Sequence, residues 1–263
     1  MSASREWNSA AYARLSDPQF GWGRVIVQSL QLRGDEFVLD AGCGAGRVTS
    51  ELLERLPRGR VVALDLSHNM VREARLALAS RFGPHVCYLQ ADLQAVPLAG
   101  AVDGIFSTAT FHWVKDHDAL FQSLYAALRP GGWLVAQCGG GPNLKRLRER
   151  TEALMRLPAY ASYFEDWKAP WKYPEPEETS ARLKRTGFTN VKSWLEESPV
   201  RLPDAQTFYD FEQNVTLHRH LAAITDVSAR HEFLTEITRQ FTADESPWML
   251  DYWRLNIRAT KPA

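Results

Sequence analysis

The stretch Val38-Leu39-Asp40-Ala41-Gly42-Cys43-Gly44-Ala45-Gly46 decides the fold. It ends an apolar, strand-like run and then alternates glycine with small residues before a helical pattern begins. Glycines in this place allow a tight turn and let a ligand lie against the backbone. A dinucleotide-binding fingerprint needs a further glycine at position 47, where this chain has Arg47. The stretch therefore predicts a ligand-binding strand–turn–helix unit and disfavours a nicotinamide dinucleotide.

Strands and helices alternate on both sides of this turn. The helical patterns begin at Asp17-Pro18, at Ser67 and at Asp116 or Asp118. The strand-length apolar runs between them are 37–41, 61–65, 85–90, 102–107 and 133–138. Such alternation requires right-handed crossovers and a parallel sheet with helices on both faces. We therefore predict an α/β fold with a doubly wound sheet over residues 35–140.

The pattern changes after Cys138. A glycine-rich loop leads to a helix that Asn143 is expected to open, and residues 158–176 are dense in aromatic residues and prolines, as in a lid or pocket wall. Strands are predicted at 189–200 and 248–259, with helical segments over 204–243 between them. We expect one domain over 1–263, with a cofactor-binding core at 35–140 and substrate-covering segments at 1–34, 143–180 and 204–243.

Composition excludes several classes of protein. The 263 residues include 31 basic and 31 acidic side chains, a balance that gives no general attraction to nucleic acid. Three cysteines are too few for a disulfide framework. No apolar run approaches the roughly 18 residues of a membrane span, and the polar start does not resemble a signal peptide. We expect a cytoplasmic monomer or weak dimer that binds a small molecule and neither nucleic acid nor membrane.

Acidic residues end three of the predicted strands. Asp40 lies in the glycine stretch, Asp65 ends the second strand and Asp92 follows the third. A carboxylate at the position of Asp65 can accept hydrogen bonds from both ribose hydroxyls of a nucleoside. Asp92 can accept from an adenine amino group. Alternatively, Asp65 and Asp92 are ordinary residues of the turns that follow their strands.

The segments VLDAGCGAG, VVALDLSHNM, QADLQAVPL and LRPGGWLVAQ together resemble the class I S-adenosylmethionine-dependent methyltransferases. The resemblance implies a Rossmann-like sheet, mostly parallel with an antiparallel last strand, and helical cap segments. It implies S-adenosylmethionine as cofactor, with Asp65 at the ribose and Asp40 supporting the glycine loop. The other cofactor-binding residues that it implies are Gly42, Gly44, Gly46, Leu66, Met70, Asp92, Leu93, Ser107 and Thr108.

A second resemblance covers Phe106 to His117 and the start Trp7 to Tyr12, with Gln19 and Trp22. These segments are similar to small-molecule methyltransferases of the trans-aconitate type, whose relatives esterify carboxylates. This second resemblance adds Gln19 to the residues expected to bind the cofactor. The substrate residues that we expect are Tyr12, Trp22, Trp113 and His218, although His218 also fits the solvated face of a helix.

The resemblance favours methylation of a small carboxylic acid. O- or N-methylation of a hydroxyl, phenol or amine is the alternative, and it would need a base because these acceptors carry a proton. More distant alternatives are a nicotinamide-dependent oxidoreductase and a cofactor-binding module without activity.

Three side chains carry the remaining chemical hypotheses. His112 follows the fourth strand and is the candidate catalytic residue, either as a base or as a hydrogen-bond donor; a packing role is the other interpretation. Asp116-His117-Asp118 is expected to cap a helix, and we predict no metal site. Cys43 has no recognisable activating partner, which favours packing.

Overall fold

The computed structural model describes residues 17–263, and in this range seven strands form one sheet. The strands of the chain are β1 (Phe37–Ala41), β2 (Arg60–Asp65), β3 (Val86–Gln90), β4 (Val102–Thr108), β5 (Leu128–Gly139), β6 (Thr189–Glu197), β7 (Val200–Arg201), β8 (Met249–Leu250) and β9 (Trp253–Thr260). The α-helices are α1 (Asp17–Ser29), α2 (Arg47–Glu54), α3 (His68–Phe82), α4 (His117–Ala127), α5 (Lys145–Met155), α6 (Pro176–Thr186), α7 (Ala205–Phe211), α8 (His218–Ala223) and α9 (Val227–Thr242). A π-helical turn, Glu212–Thr216, joins α7 to α8.

The main sheet has the strand order β3-β2-β1-β4-β5-β9-β6. Strands β1 to β5 pair in parallel, whereas β9 runs antiparallel to both β5 and β6. The predicted Rossmann-like α/β fold with an antiparallel last strand is confirmed, although β9 lies inside the sheet and not at its edge. The strand order reverses between β1 and β4, and open α/β sheets bind their ligands at such a point.

Local signals set most helix starts. Ser67 caps α3 by accepting the Met70 N–H at 3.3 Å, and Asp116 caps α4 by accepting two N–H groups at 3.0 Å. The predicted start of the helix at Asn143 is wrong, because α5 begins at Lys145. The buried Asn143 side chain instead accepts the Trp253 N–H at 2.9 Å and ties the preceding loop to β9.

Two predicted strands are divided. Residues 189–200 form β6 and the start of β7, and residues 248–259 form β8 and most of β9. The short strands β7 and β8 pair with each other in a separate two-stranded ribbon. They leave the main sheet where the chain enters a second layer of structure.

This second layer has its own apolar core. Residues of 144–167 pack with residues of 200–252 around Phe208, Phe211, Phe233 and Phe241, and we call these two ranges the cap. Separate clusters cover the two faces of the sheet. Helix α6 belongs to one of those faces, since Leu183 packs with the sheet residues. Among residues 17–263, no helix is long and apolar enough to cross a membrane.

Candidate functional site

A cavity of about 170 Å³ opens at the carboxyl ends of β1, β2 and β4. We call it the glycine-loop cavity. It brings together most of the residues expected to bind the cofactor, which are Gln19, Asp40, Gly42, Gly44, Asp65, Leu66, Met70, Asp92, Leu93 and Thr108. Gly46 and Ser107 do not line it.

The three glycines of the loop have different roles. Gly44 has a φ of +53°, and a Cβ built on it would meet no atom within 4 Å, so its backbone faces open space. A Cβ on Gly42 would come 2.2 Å from Thr110 Oγ1, which fixes the close approach of the loop after β4. A Cβ on Gly46 would come 2.9 Å from Leu78, so this glycine allows α2 to pack on α3. Gly42 and Gly44 face the cavity, whereas Gly46 does not.

Asp65 holds the loop and faces the cavity at the same time. Its Oδ2 accepts the Gly44 N–H at 3.0 Å, and its Oδ1 accepts the Ser67 N–H at 2.9 Å. A carboxylate has about four lone-pair positions, so one carboxylate can accept several hydrogen bonds at once. Asp92 is similar, because its Oδ1 accepts the Gln94 N–H at 2.9 Å while the residue lines the cavity. Both carboxylates therefore shape turns at the edge of the cavity.

Asp40 and Ser107 support the glycine loop through hydrogen bonds within the protein. The buried Asp40 accepts a hydrogen bond of 2.7 Å from Thr49 Oγ1. Burial raises the pKa of Asp40 to about 7, while the Thr49 hydrogen bond lowers it and the charge of Asp65 raises it further. Ser107 donates from Oγ to the Ala41 carbonyl at 2.6 Å.

Burial also raises the pKa of Cys43 well above its usual value, which suits a packing residue and not a nucleophile.

A second cavity, of about 50 Å³, adjoins the first. We call it the inner chamber. Gln19, Ala109 and Trp113 line both cavities, so a molecule in one can contact a molecule in the other. Ala109 has a φ of +53°, an unusual conformation for a residue other than glycine, and lies at this junction. The polar side chains around the chamber include His112, Asn143, Arg148, Tyr173, His220 and Arg254.

His112 is held in one protonation form. The Gly139 N–H lies 3.3 Å from His112 Nδ1, and because a backbone N–H only donates, Nδ1 is the acceptor. Burial lowers the pKa of His112 well below its usual value, and the charge of Arg254 lowers it further. The ring is therefore neutral at pH 7 and carries its hydrogen on Nε2. In this form it can donate a hydrogen bond from Nε2 but cannot accept a proton there.

Two arginines give the chamber its charge. Arg254 lies near the start of β9 and is only 2% exposed. Its guanidinium lies 4.5 Å from the ring centroid of Trp22, and that of Arg148 lies 5.3 Å from the ring centroid of Tyr173. Among the described residues that line the chamber, none is acidic. The chamber is thus a positively charged site with aromatic walls.

The expected substrate residues lie at different distances from this chamber. Trp113 lines it, and Trp22 packs edge-on against the lining residue Tyr252 with 5.1 Å between ring centroids. His218 packs against Trp113 at 6.1 Å, but its neighbour His220 is the histidine that lines the chamber. Tyr12 lies outside the described residues.

Arg148 and Arg254 were not expected from the sequence. Tyr173 lies in the segment 158–176, which was expected to form a lid or pocket wall, and His220 lies two residues after the expected substrate residue His218. Arg254 carries no local signal, because the predicted strand 248–259 also contains Asp251, Asn256 and Arg258. Arg148 and His220 lie on helices with several other charged or polar residues. Nothing in their local sequence separates them from surface residues.

The chain is similar to known methyltransferases. Residues 38–132 match a family described as a methyltransferase domain. Trans-aconitate 2-methyltransferase from Azoarcus sp. (strain BH72) is 36% identical over 60% of this chain and 66% of that protein. The enzyme of the same name from Escherichia coli K12 is 32% identical over 61% of this chain and 60% of that protein. The chain thus spans about three fifths to two thirds of the length of these curated relatives.

Solved structures show the same fold at lower identity. Phosphoethanolamine N-methyltransferase 2 from Haemonchus contortus, solved with S-adenosylhomocysteine, has a TM-score of 0.62 and 18% identity, covering 97% of this chain and 57% of that chain. The YcgJ protein from Bacillus subtilis has a TM-score of 0.63 and 15% identity, covering 93% of this chain and 98% of that chain. The solved structures show the shared fold, and the domain match with the curated relatives confirms the resemblance drawn from the sequence.

Proposed function

Because residues 38–132 belong to the methyltransferase domain family, we propose that this protein methylates a small carboxylic acid with S-adenosylmethionine as the methyl donor. The observation that carries the proposal is the inner chamber, where two arginines and a neutral, donating His112 adjoin the glycine-loop cavity. The name of the curated relatives, trans-aconitate 2-methyltransferase, describes an enzyme that acts on a carboxylic acid and agrees with it.

The glycine-loop cavity fits S-adenosylmethionine. Open space above Gly44 leaves room for the methionine part, and the Asp65 carboxylate, which lines the cavity, would accept the ribose hydroxyls. Met70 and Leu66 would flank the adenine, with Asp92 and the Leu93 backbone at its edge. The buried Oε1 of Gln19 has no hydrogen-bond partner among the described residues and lies where the two cavities meet. It would accept a hydrogen bond from the positively charged end of the ligand.

When bound, S-adenosylmethionine supplies an electrophilic methyl carbon, and an attacking carboxylate oxygen forms the new C–O bond while the electron pair of the broken C–S bond stays on the sulfur. The protein has to align the acceptor and exclude water. Arg254 and Arg148 would attract the carboxylate and fix its orientation, since guanidinium groups suit carboxylates. His112 would donate from Nε2 to the acceptor.

Hydroxyl, phenol and amine acceptors fit this chamber less well. Each has to lose a proton in the course of the reaction, and a base must take it. His112 has its hydrogen on Nε2, and no acidic side chain is present among the described lining residues. A carboxylate is already ionised at neutral pH and needs no base.

A methyl-transfer screen tests the proposal. The full chain is incubated with labelled S-adenosylmethionine and separate panels of small carboxylic acids, phenols and amines. We expect label only in the acid panel. Arg254→Met should lower kcat/KM for acids by roughly 100-fold or more, because removing a charge partner from a buried site costs about 3–5 kcal/mol. S-adenosylhomocysteine affinity should change little. Methylation of phenols or amines in place of acids would contradict the proposal.

A further inference from the structure

Strand β6 forms one end of the main sheet. It pairs with β9 on one side, and in the part of the chain that the structure describes no strand pairs with its other side. None of its nine residues is buried. An edge strand of this length presents backbone N–H and C=O groups with which a further strand can pair. The outer side of β6 is therefore a surface on which another chain can extend the sheet.

Alternate side chains of β6 form an exposed stripe on one face of the sheet. Lys192, Trp194 and Glu196 are all exposed, and they share a face because side chains alternate along a strand. Trp194 has 41% of its surface exposed, which is a large apolar area for a surface residue. Asn256 donates from Nδ2 to Glu196 Oε2 at 3.2 Å, and the Arg258 guanidinium lies 6.0 Å from the ring centroid of Trp194. These contacts with β9 hold the carboxylate and the ring on this face.

The order of the charges in this stripe suits pairing with an identical strand. In an antiparallel pair of two copies the residue on the two-fold axis lies opposite itself. With the axis at Trp194, each Lys192 lies opposite Glu196 of the second copy. With the axis at Lys192 or Glu196, like charges face each other, and with the axis at Ser193 or Leu195, Trp194 faces a charged residue. Opposite charges across two strands stabilise their pairing and like charges destabilise it, so charge selects the axis at Trp194.

Charged side chains on an edge strand usually prevent pairing with other chains. In β6, however, the two charges of the stripe have opposite sign and lie at equal distances along the strand from Trp194. Each charge therefore meets its opposite in the symmetric pair. The two Trp194 rings meet at the axis, and cross-strand aromatic pairs add to the stability of a sheet.

We propose that β6 is a dimerisation surface, on which a second copy of this chain pairs in antiparallel orientation about a two-fold axis at Trp194. The two main sheets then form one continuous sheet. Two Lys192–Glu196 ion pairs flank the contact between the Trp194 rings. A contact along one strand is small beside the roughly 1,200–2,000 Å² that stable complexes bury, so we expect a weak dimer with a Kd on the order of 10 μM.

Sedimentation velocity of the full chain, over concentrations of about 1–300 μM, tests whether the dimer forms. We expect the weight-average mass to rise with concentration from that of one chain towards that of two. The dimer should weaken at high salt, because salt screens exposed ion pairs. A single chain at every concentration would overturn the inference.

A charge swap tests the position of the axis. Lys192→Glu replaces attraction by repulsion in both symmetric pairs and should raise Kd roughly tenfold or more. Glu196→Lys should have the same effect. The double variant Lys192→Glu/Glu196→Lys restores opposite charges across the axis and should return Kd to within about threefold of the wild type. A double variant that dimerises no better than the single variants would contradict the inference.

Lys168→Glu is the matched control. Lys168 is exposed in the loop before α6, outside β6, and this variant changes the net charge as Lys192→Glu does. Its Kd for dimerisation should equal that of the wild type, and an equal loss in Lys168→Glu and Lys192→Glu would overturn the inference. S-adenosylhomocysteine affinity should be unchanged in every variant, because no residue of β6 lines either cavity. This measurement shows that the variants are folded.

Discussion

His112 is the residue whose protonation form separates the two kinds of acceptor. Its Nδ1 accepts the Gly139 N–H, and burial keeps its pKa well below the usual value. His112→Gln keeps an N–H donor near the same place, so we expect turnover of an acid to fall less than tenfold. The pH–rate profile should be flat from 6 to 8, since the ring does not titrate there. A hundredfold loss at unchanged cofactor affinity would show instead that His112 is a base.

Asp65 is the residue on which cofactor affinity depends most. Its carboxylate lines the glycine-loop cavity and is held in place by the Gly44 and Ser67 N–H groups. Hydrogen bonds to a charged group are worth about 1.5–3 kcal/mol, so Asp65→Ala should weaken S-adenosylhomocysteine binding by roughly 10- to 100-fold. Isothermal titration calorimetry measures this directly. Asp35→Ala, at an exposed position outside both cavities, is the control, and equal affinities in the two variants would exclude this role for Asp65.

At the scale of an element, the π-helical turn Glu212–Thr216 makes stability depend on pH. The Glu212 side chain is fully buried, and its Oε2 accepts a hydrogen bond from Thr216, which lines the inner chamber. Burial raises the pKa of Glu212 from 4.5 to about 8. Between pH 4.5 and pH 8, the Glu212 carboxyl keeps its proton in the folded chain and loses it in the unfolded chain. Stability from this group is therefore complete below pH 4.5 and is lost as the pH rises towards 8.

Glu212→Gln should remove this dependence. The wild type should lose up to roughly 5 kcal/mol between pH 4.5 and 8 through this group, at 1.36 kcal/mol for each pKa unit. The variant should be similar to the wild type near pH 5 and more stable at pH 9. Urea denaturation at pH 5, 7 and 9 measures the difference. Parallel pH profiles for the two proteins would mean that Glu212 is not responsible.

At the scale of the whole molecule, residues from distant parts of the chain line the glycine-loop cavity. Gln19 from α1, the loop after β1 and Trp113 after β4 all line it, so a bound cofactor should stabilise the fold as a unit. A ligand at 100 times its Kd adds about 2.7 kcal/mol, which in a chain of this size raises Tm by roughly 5–10 °C. Differential scanning calorimetry should show this shift with S-adenosylhomocysteine and none with NAD. A shift with NAD alone would favour the oxidoreductase alternative.

The sheet and the glycine loop were predictable because their signals are local. Strand-length apolar runs, the caps at Ser67 and Asp116 and the glycines after β1 each depend on residues close in sequence. The carboxyl ends of parallel strands also meet at one edge, so the sequence alone predicts that Asp65 and Asp92 lie together. The division of 248–259 into β8 and β9 was not predictable, because both pieces have the same strand-like composition.

The sequence by itself determined the α/β core and the residues around the glycine-loop cavity. Only the tertiary structure decided the inner chamber. Arg148 and Arg254 come from α5 and β9, and neither has a local pattern that marks it, while Tyr173 and His220 come from the aromatic-rich segment 158–176 and from α8. They meet because β9 enters the sheet between β5 and β6 while the cap folds on its own core. Such contacts depend on packing between segments distant in sequence, and that packing is not encoded in any one of them.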